Sequence, residues 1–231
     1  MFESNRTGEN VMGGKKYCRY GERETAYLKS RDKRLATVID AVGPIRRELD
    51  TDLFSAVVRH IVGQQISNKA LAAVWGRLAA GLGKVNAASV LDAGEERLHA
   101  FGMSYRKAEY ITDFARKVDA GEFRLAALKK MSDAEAIAAL SSLSGVGVWT
   151  AEMILLFCLE RPDVLSFGDL AIQRGLRMIY RHREIPKEQF ERYRRRFSPC
   201  GSVASLYLWA VSGGALPGVT DPADGKRRKK S

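Results

Sequence analysis

A chain of 231 residues that is 45% hydrophobic and 28% charged is long enough to bury a substantial core as one or two subdomains. No apolar run approaches the ~20 residues that span a bilayer, and Met1-Phe2-Glu3-Ser4-Asn5 lacks a signal-peptide apolar core. The expectation is therefore a cytoplasmic protein, associated with the nucleoid, or a nuclear one in a eukaryote. The formal charge of +11 and a pI of about 9.7 point to a polyanionic partner and not to a membrane.

Residues 1–24 mix Gly, Asn, Arg and Glu without apolar periodicity and are expected to form an irregular arm. From Thr25, the positions Tyr27, Leu28, Leu35, Val38 and Ile39 predict a short helix and then a longer one that stops before Gly43-Pro44. Thr51 is placed to cap a helix in which Leu53, Phe54, Val57, Val58 and Ile61 share a face. That helix runs into Gly63-Gln64-Gln65-Ile66-Ser67, and Ser67 starts the next one, with Leu71, Val74, Trp75 and Leu78. On composition alone, Gln64 and Gln65 make an exposed loop between helices. After Gly81-Leu82-Gly83 come helices around Val90 and around Leu98 and Phe101. Gly102 stops the second, and Ser104 caps a long helix through Ile111, Phe114, Ala115 and Val118. Its job is scaffolding, although Lys107 is long enough to reach a phosphate.

Ser132-Asp133-Ala134-Glu135 has the form of a capping box and opens a helix with Ile137, Ala138 and Leu140. Met153, Ile154, Phe157 and Cys158 recur at helical spacing, so another helix begins near Trp149. Between them, Gly145 and Gly147 let the backbone turn sharply. The amides that follow lack intrahelical partners, and with the helix dipole they form a site for an anion such as a phosphate. Ser166-Phe167-Gly168-Asp169 then introduces a helix with Arg174, Leu176, Ile179 and Tyr180, for which Asp169 is a good N-cap. Nine Lys/Arg against three Glu lie between Arg174 and Arg196, a basic cluster beyond ordinary alternating surface charge. Pro186 opens a helix bearing Phe190, Tyr193 and Phe197, and Ser202 caps a last apolar one. Residues 217–231 read as a basic disordered tail.

Strict period-two alternation is absent, so the expected fold is all-α. A helical domain over 25–216 would form two lobes around a cleft lined by the hairpin (133–160) and Asp169. Cys18, Cys158 and Cys200 lie far apart without CxxC spacing, which excludes a structural zinc or a four-cysteine iron–sulfur cluster on ligand count. His60, His99 and His182 are equally scattered and read as surface or partly buried residues.

The pattern Leu143-x-Gly145-Val146-Gly147-x-x-Thr150-Ala151, followed by Asp169, resembles the superfamily of DNA glycosylases named for its helix-hairpin-helix, Gly/Pro-rich loop and aspartate (HhH-GPD). The resemblance runs from about Leu53 to Gly214 and is closest to the alkyl-base, 3-methyladenine DNA glycosylase II type. It implies a monomeric enzyme of base excision repair that binds double-stranded DNA carrying an alkylated base, flips the base out and hydrolyses its N-glycosidic bond. Residue by residue, it makes Asp169 catalytic and places Gln65, beside Gln64, on the wedge that fills the vacated space. It assigns Gly145, Gly147 and Thr150 to a backbone phosphate, and Trp149 to stacking on the extruded base. An aromatic face attracts a cationic alkylated base by about 0.5–2 kcal/mol.

Three departures from lyase-active or aromatic-rich relatives stand out. Trp149 replaces the lysine that attacks the sugar in bifunctional members, which implies no lyase activity. Met153 and Cys200 replace aromatic residues of the base pocket, which leaves the range of lesions open. The resemblance also implies a monovalent cation on the backbone carbonyls of Ser141, Leu143 and Val146, and no other cofactor. Two alternatives stay open: a glycosylase for another lesion, and a non-enzymatic hairpin module that binds DNA structure.

Overall fold

The computed structural model describes residues 11–12 and 15–224. Among these the fold is all-helical apart from a two-residue antiparallel ladder, β1 (Val11–Met12) with β2 (Lys15–Lys16). The helices are α1 (Glu22–Arg31), α2 (Lys33–Val42), α3 (Leu53–Gly63), α4 (Asn68–Leu82), α5 (Ala87–Ala100), α6 (Tyr105–Asp119), α7 (Asp133–Ser141), α8 (Val148–Phe157), α9 (Leu170–Tyr180), α10 (Lys187–Phe197) and α11 (Gly201–Ser212), with a 3₁₀ helix at Leu125–Lys130. They form two compact units, Asp50–Leu159 and Met1–Leu49 with Glu160–Ser231. The chain thus carries one lobe in its middle and builds the other from both ends.

Most helix starts follow from local hydrogen bonding. Ser67, Ser104 and Ser132 each accept the amide three residues on, as a cap should. Gly94, at φ +67, breaks α5 into the two pieces that the apolar spacing predicts. Three starts differ from expectation. Asp52, not Thr51, caps α3 by accepting from the Ser55 amide at 3.0 Å. The arm is ordered earlier than predicted, because the Glu24 carboxylate accepts from the Gly21 amide at 2.8 Å and starts α1 at Glu22. Tyr17 also bridges to Glu48. Ser202 lies inside α11; its hydroxyl accepts from the Val164 amide and donates to the Arg161 carbonyl. The start of α11 is held instead by Asp163, whose carboxylate accepts from the Gly201 amide at 3.0 Å.

In the middle unit Val57, Ile61, Leu78, Leu98, Ile111, Leu140 and Ile154 are all completely buried. Phe54 stacks on Phe114 at 4.8 Å between ring centres. In the terminal unit Leu28, Leu35, Ile172, Leu176, Phe190, Phe197 and Leu208 are buried in one cluster. Helices α9 and α11 cross closely there because residue 175 is glycine: a Cβ at this position would sit 2.4 Å from the Leu208 carbonyl oxygen.

The C-terminal tail does not begin where composition suggests. Leu216 and Val219 pack against the terminal unit's core, and Asp221 is 4% exposed. The Arg177 guanidinium grips both oxygens of that carboxylate, with Nε at 3.0 Å from Oδ1, and the Ala223 amide also donates to it. Residues 225–231, with the basic run Lys226–Lys230, lie outside the described residues. The Arg174–Arg196 cluster is likewise partly consumed inside the fold, since Arg196 donates to Asp32 at 2.6 Å while Arg192 and Arg194 pair with Glu188 and Glu191.

Truncation after Thr220 should therefore lower stability by about 2 kcal/mol, between the values for exposed and buried ion pairs, whereas truncation after Asp224 should leave the melting temperature unchanged. The Arg177 hydrogen bond holds the Asp221 carboxyl below the usual carboxylate range. Its contribution is accordingly present above pH ~4 and lost as pH falls through the depressed value, which melting curves of Asp221→Asn and the parent protein across acid pH would show.

Candidate DNA-contacting and catalytic site

Helix α7 ends at Ser141, and the reversal that follows closes with the Val146 amide donating to the Leu143 carbonyl at 3.0 Å. Gly145 adopts φ +78, a left-handed conformation open to glycine. Shape adds a second constraint, because a Cβ at residue 145 would sit 2.4 Å from the ring of Tyr110. Gly147 caps α8 at φ −90 with no side-chain hydrogen bond, and a Cβ there would meet nothing within 4 Å. One glycine is packed against an aromatic face and the other faces open space. The second arrangement is what an anion approaching the first-turn amides of α8, Thr150 among them, would need.

The loop after α3 is joined to this turn. The Gln64 side-chain amide donates to the Gly145 carbonyl at 2.5 Å. Gln64 is therefore committed to the hairpin backbone and differs from Gln65, which is exposed with φ +56. Ile66, 38% exposed, follows it. From α6, the Lys107 ammonium donates to the carbonyls of Val62 at 2.8 Å and Gln64 at 2.7 Å. Burial lowers its pKa from the usual lysine value. Lys107 thus holds protein carbonyls, not the phosphate that its length alone suggested. Sequence reasoning missed this role and that of Tyr110, which lies three residues on along the same face of α6.

Helix α8 buries Thr150, Ala151, Met153, Ile154, Leu155 and Leu156 but leaves Val148 57% and Trp149 43% exposed. Met153 is only 3% exposed, one helical turn beyond Trp149. The Leu143 and Val146 side chains are buried, and the Ser141 hydroxyl is buried without a hydrogen-bond partner. Carbonyls at Ser141, Leu143 and Val146 are oxygen donors of the kind a monovalent cation takes, and the unsatisfied Ser141 hydroxyl is a further oxygen on the same segment.

In the terminal unit, Asp169 is 6% exposed and caps α9: its Oδ1 accepts from the amides of Ala171 and Ile172, both at 2.9 Å. The neighbouring Leu170 is 79% exposed. Cys200 is 8% exposed and belongs to the same unit's apolar cluster; burial raises its thiol pKa. The histidines have local partners or a buried setting. His99 stacks on Tyr105 at 3.8 Å, His182 Nε2 lies 2.8 Å from the Tyr193 hydroxyl, and burial holds His60 down at about 4.

A family model described as HhH-GPD superfamily base excision DNA repair protein matches residues 58–200, which include the Gln64-Gln65 loop, the hairpin and Asp169. The chain belongs to this superfamily. Among solved structures, DNA-3-methyladenine glycosidase from Bacillus halodurans is 32% identical with a TM-score of 0.75, covering 86% of this chain and 93% of that one. A Schizosaccharomyces pombe 3-methyladenine DNA glycosylase in complex with abasic DNA is 25% identical with a TM-score of 0.71, covering 84% and 98%. A curated relative, DNA-3-methyladenine glycosylase 1 of the same yeast, is 28% identical over 84% of this chain and 87% of its own length.

For this HhH-GPD chain the two hairpin glycines should behave differently. Gly145→Ala forces a side chain into both a left-handed backbone and the Tyr110 ring, so it should lower stability by about 2 kcal/mol or more. Gly147→Ala has room inside the protein and should keep the melting temperature within a few degrees while weakening duplex binding about tenfold. Binding of a labelled duplex, measured beside thermal melting, checks both.

Proposed function

We propose that this protein is a monofunctional DNA glycosylase that removes alkylated bases such as 3-methyladenine and 7-methylguanine from duplex DNA. The observation that carries the reading is Trp149. A helix that buries most of its later side chains leaves this ring 43% exposed, and an exposed indole is a surface of the kind on which a base stacks. A base alkylated on a ring nitrogen is cationic, so stacking on indole both recognises it and needs no acid to protonate it. The names of the 3-methyladenine relatives reported above support the same substrate class.

In this scheme the backbone amides at Gly145, Gly147 and Thr150 hold a phosphate, and Gln65 fills the space left by the flipped nucleotide. A monovalent cation on the carbonyls of Ser141, Leu143 and Val146 would stiffen the turn and add positive charge facing the phosphate. Asp169 then stabilises the oxocarbenium character of the sugar and orients the water that attacks it. Its two amide hydrogen bonds fix the carboxylate's direction before the reaction, which is what electrostatic stabilisation without reorganisation requires.

Asp169→Asn separates capping from catalysis, because Asn caps a helix about as well as Asp. Excision of 3-methyladenine under single-turnover conditions should fall about 10²-fold or more, with the melting temperature nearly unchanged. Affinity for duplex DNA should hold or rise, since a negative charge has been removed. Undiminished excision by the Asn variant would end the catalytic role of Asp169, and duplex binding without base release by the parent protein would leave a non-enzymatic hairpin module. With Trp149 in place of an amine nucleophile, the product should be an abasic site in an intact strand, and borohydride should trap no covalent complex.

A further inference from the structure

We infer that Lys107 is a positioning residue for base extrusion, holding Gln65 in the left-handed backbone conformation of the wedge through the two carbonyls that precede it. The inference rests on the glycosylase reading above and extends it to a residue that touches neither phosphate nor base.

Gln65 has φ +56, a conformation that costs a residue other than glycine about 1–2 kcal/mol. Left to itself, the loop would relax. Rotation about φ of Gln65 turns the Gln64–Gln65 peptide against the chain beyond it, which enters α4 two residues on, so a hold on the Gln64 carbonyl oxygen restrains that angle. The Lys107 ammonium donates to this oxygen at 2.7 Å. It donates as well to the Val62 carbonyl at 2.8 Å, among the last carbonyls of α3, where a cation is favoured by the helix dipole. The peptide is therefore tied to the end of α3 on one side. On the other side, the Gln64 side chain donates to the Gly145 carbonyl, so the same residue is anchored to the hairpin.

Tyr110, on the same face of α6 as Lys107, packs its ring on Gly145. One helix thus supports both elements, the wedge loop through a charge and the hairpin through a ring. A wedge that must push into a base stack needs a rigid base of its own, and the loop residues Gln65 to Ser67 are exposed and supply none. Lys107 supplies it from within the fold.

A double-mutant cycle tests the assignment with the whole chain. The variants are Lys107→Met, Gln65→Ala and the pair, with Lys107→Arg as the conservative replacement. Extrusion is read from the fluorescence of 2-aminopurine at the target position on binding, excision from single-turnover release of 3-methyladenine, and folding from thermal melting. Lys107→Met should lower extrusion and excision about tenfold in the parent, the loss expected for one charged hydrogen-bond donor, and less than about twofold in the Gln65→Ala background. Lys107→Arg should recover most of the signal.

An equal loss in both backgrounds would overturn the inference, as would an unchanged signal on Gln65→Ala. A fall of about one in the salt slope of duplex binding for Lys107→Met would show a phosphate contact instead and would also overturn it. If Lys107→Met does not fold, Lys107→Gln, which keeps one donor, takes its place in the same cycle. Because extrusion is measured apart from excision, a parent protein that releases no base defeats the glycosylase reading while still deciding the role of Lys107.

Discussion

A Cβ at residue 145 would sit 2.4 Å from the Tyr110 ring, and the packing of the hairpin depends on there being none. The left-handed turn there admits a flat ring, Tyr110, directly onto the backbone, and it presents the Gly145 carbonyl to the Gln64 amide. These two contacts join a helix, a loop and a hairpin that are distant in sequence. The hairpin is therefore not a mobile connection but a braced one, and the loop that carries Gln65 shares the brace. In the proposed roles, with the hairpin on a phosphate and Gln65 in the base stack, the two elements would gain from moving as one body, since a shift of one relative to the other would lose their registry.

Charge has to be divided by where it is used. The net +11 describes attraction to a polyanion at long range, but Arg177 and Arg196 spend their guanidinium groups on the carboxylates of Asp221 and Asp32, which are 4% and 6% exposed. Such pairs serve the fold of the terminal unit. Arg177 emerges from α9, the helix that Asp169 caps, so the docked C-terminal segment steadies the element on which the Asp169 carboxylate is mounted. The acidic partners lie 44 and 164 residues away along the chain, and a count of charge within one segment does not see them.

Asp169 shows how one residue type meets two demands. A carboxylate that receives two amides at a helix start is oriented without any further side chain, and a fixed negative charge is also what a developing sugar cation requires. Trp149 shows the reverse economy. Met153 and Cys200 are packed into their own units, whereas the Trp149 indole is 43% exposed, which suits its proposed stacking on a base.

The parts legible in the sequence are those governed by neighbours a few residues apart. The 3.6-residue apolar rhythm located the helices, serines 67, 104 and 132 marked their starts, and paired glycines announced the hairpin. Asp169 was legible as a cap from its place alone, and the catalytic role proposed for it came from the family pattern. What only the tertiary structure decided is set by residues 38 to 81 apart: Asp163 at the start of α11, Lys107 on the carbonyls of Val62 and Gln64, Asp221 on Arg177, Gln64 on Gly145. Local periodicity and capping act within about one helical turn, whereas these contacts depend on which helix ends the packed chain brings within 3 Å of each other, and no spacing rule encodes that path.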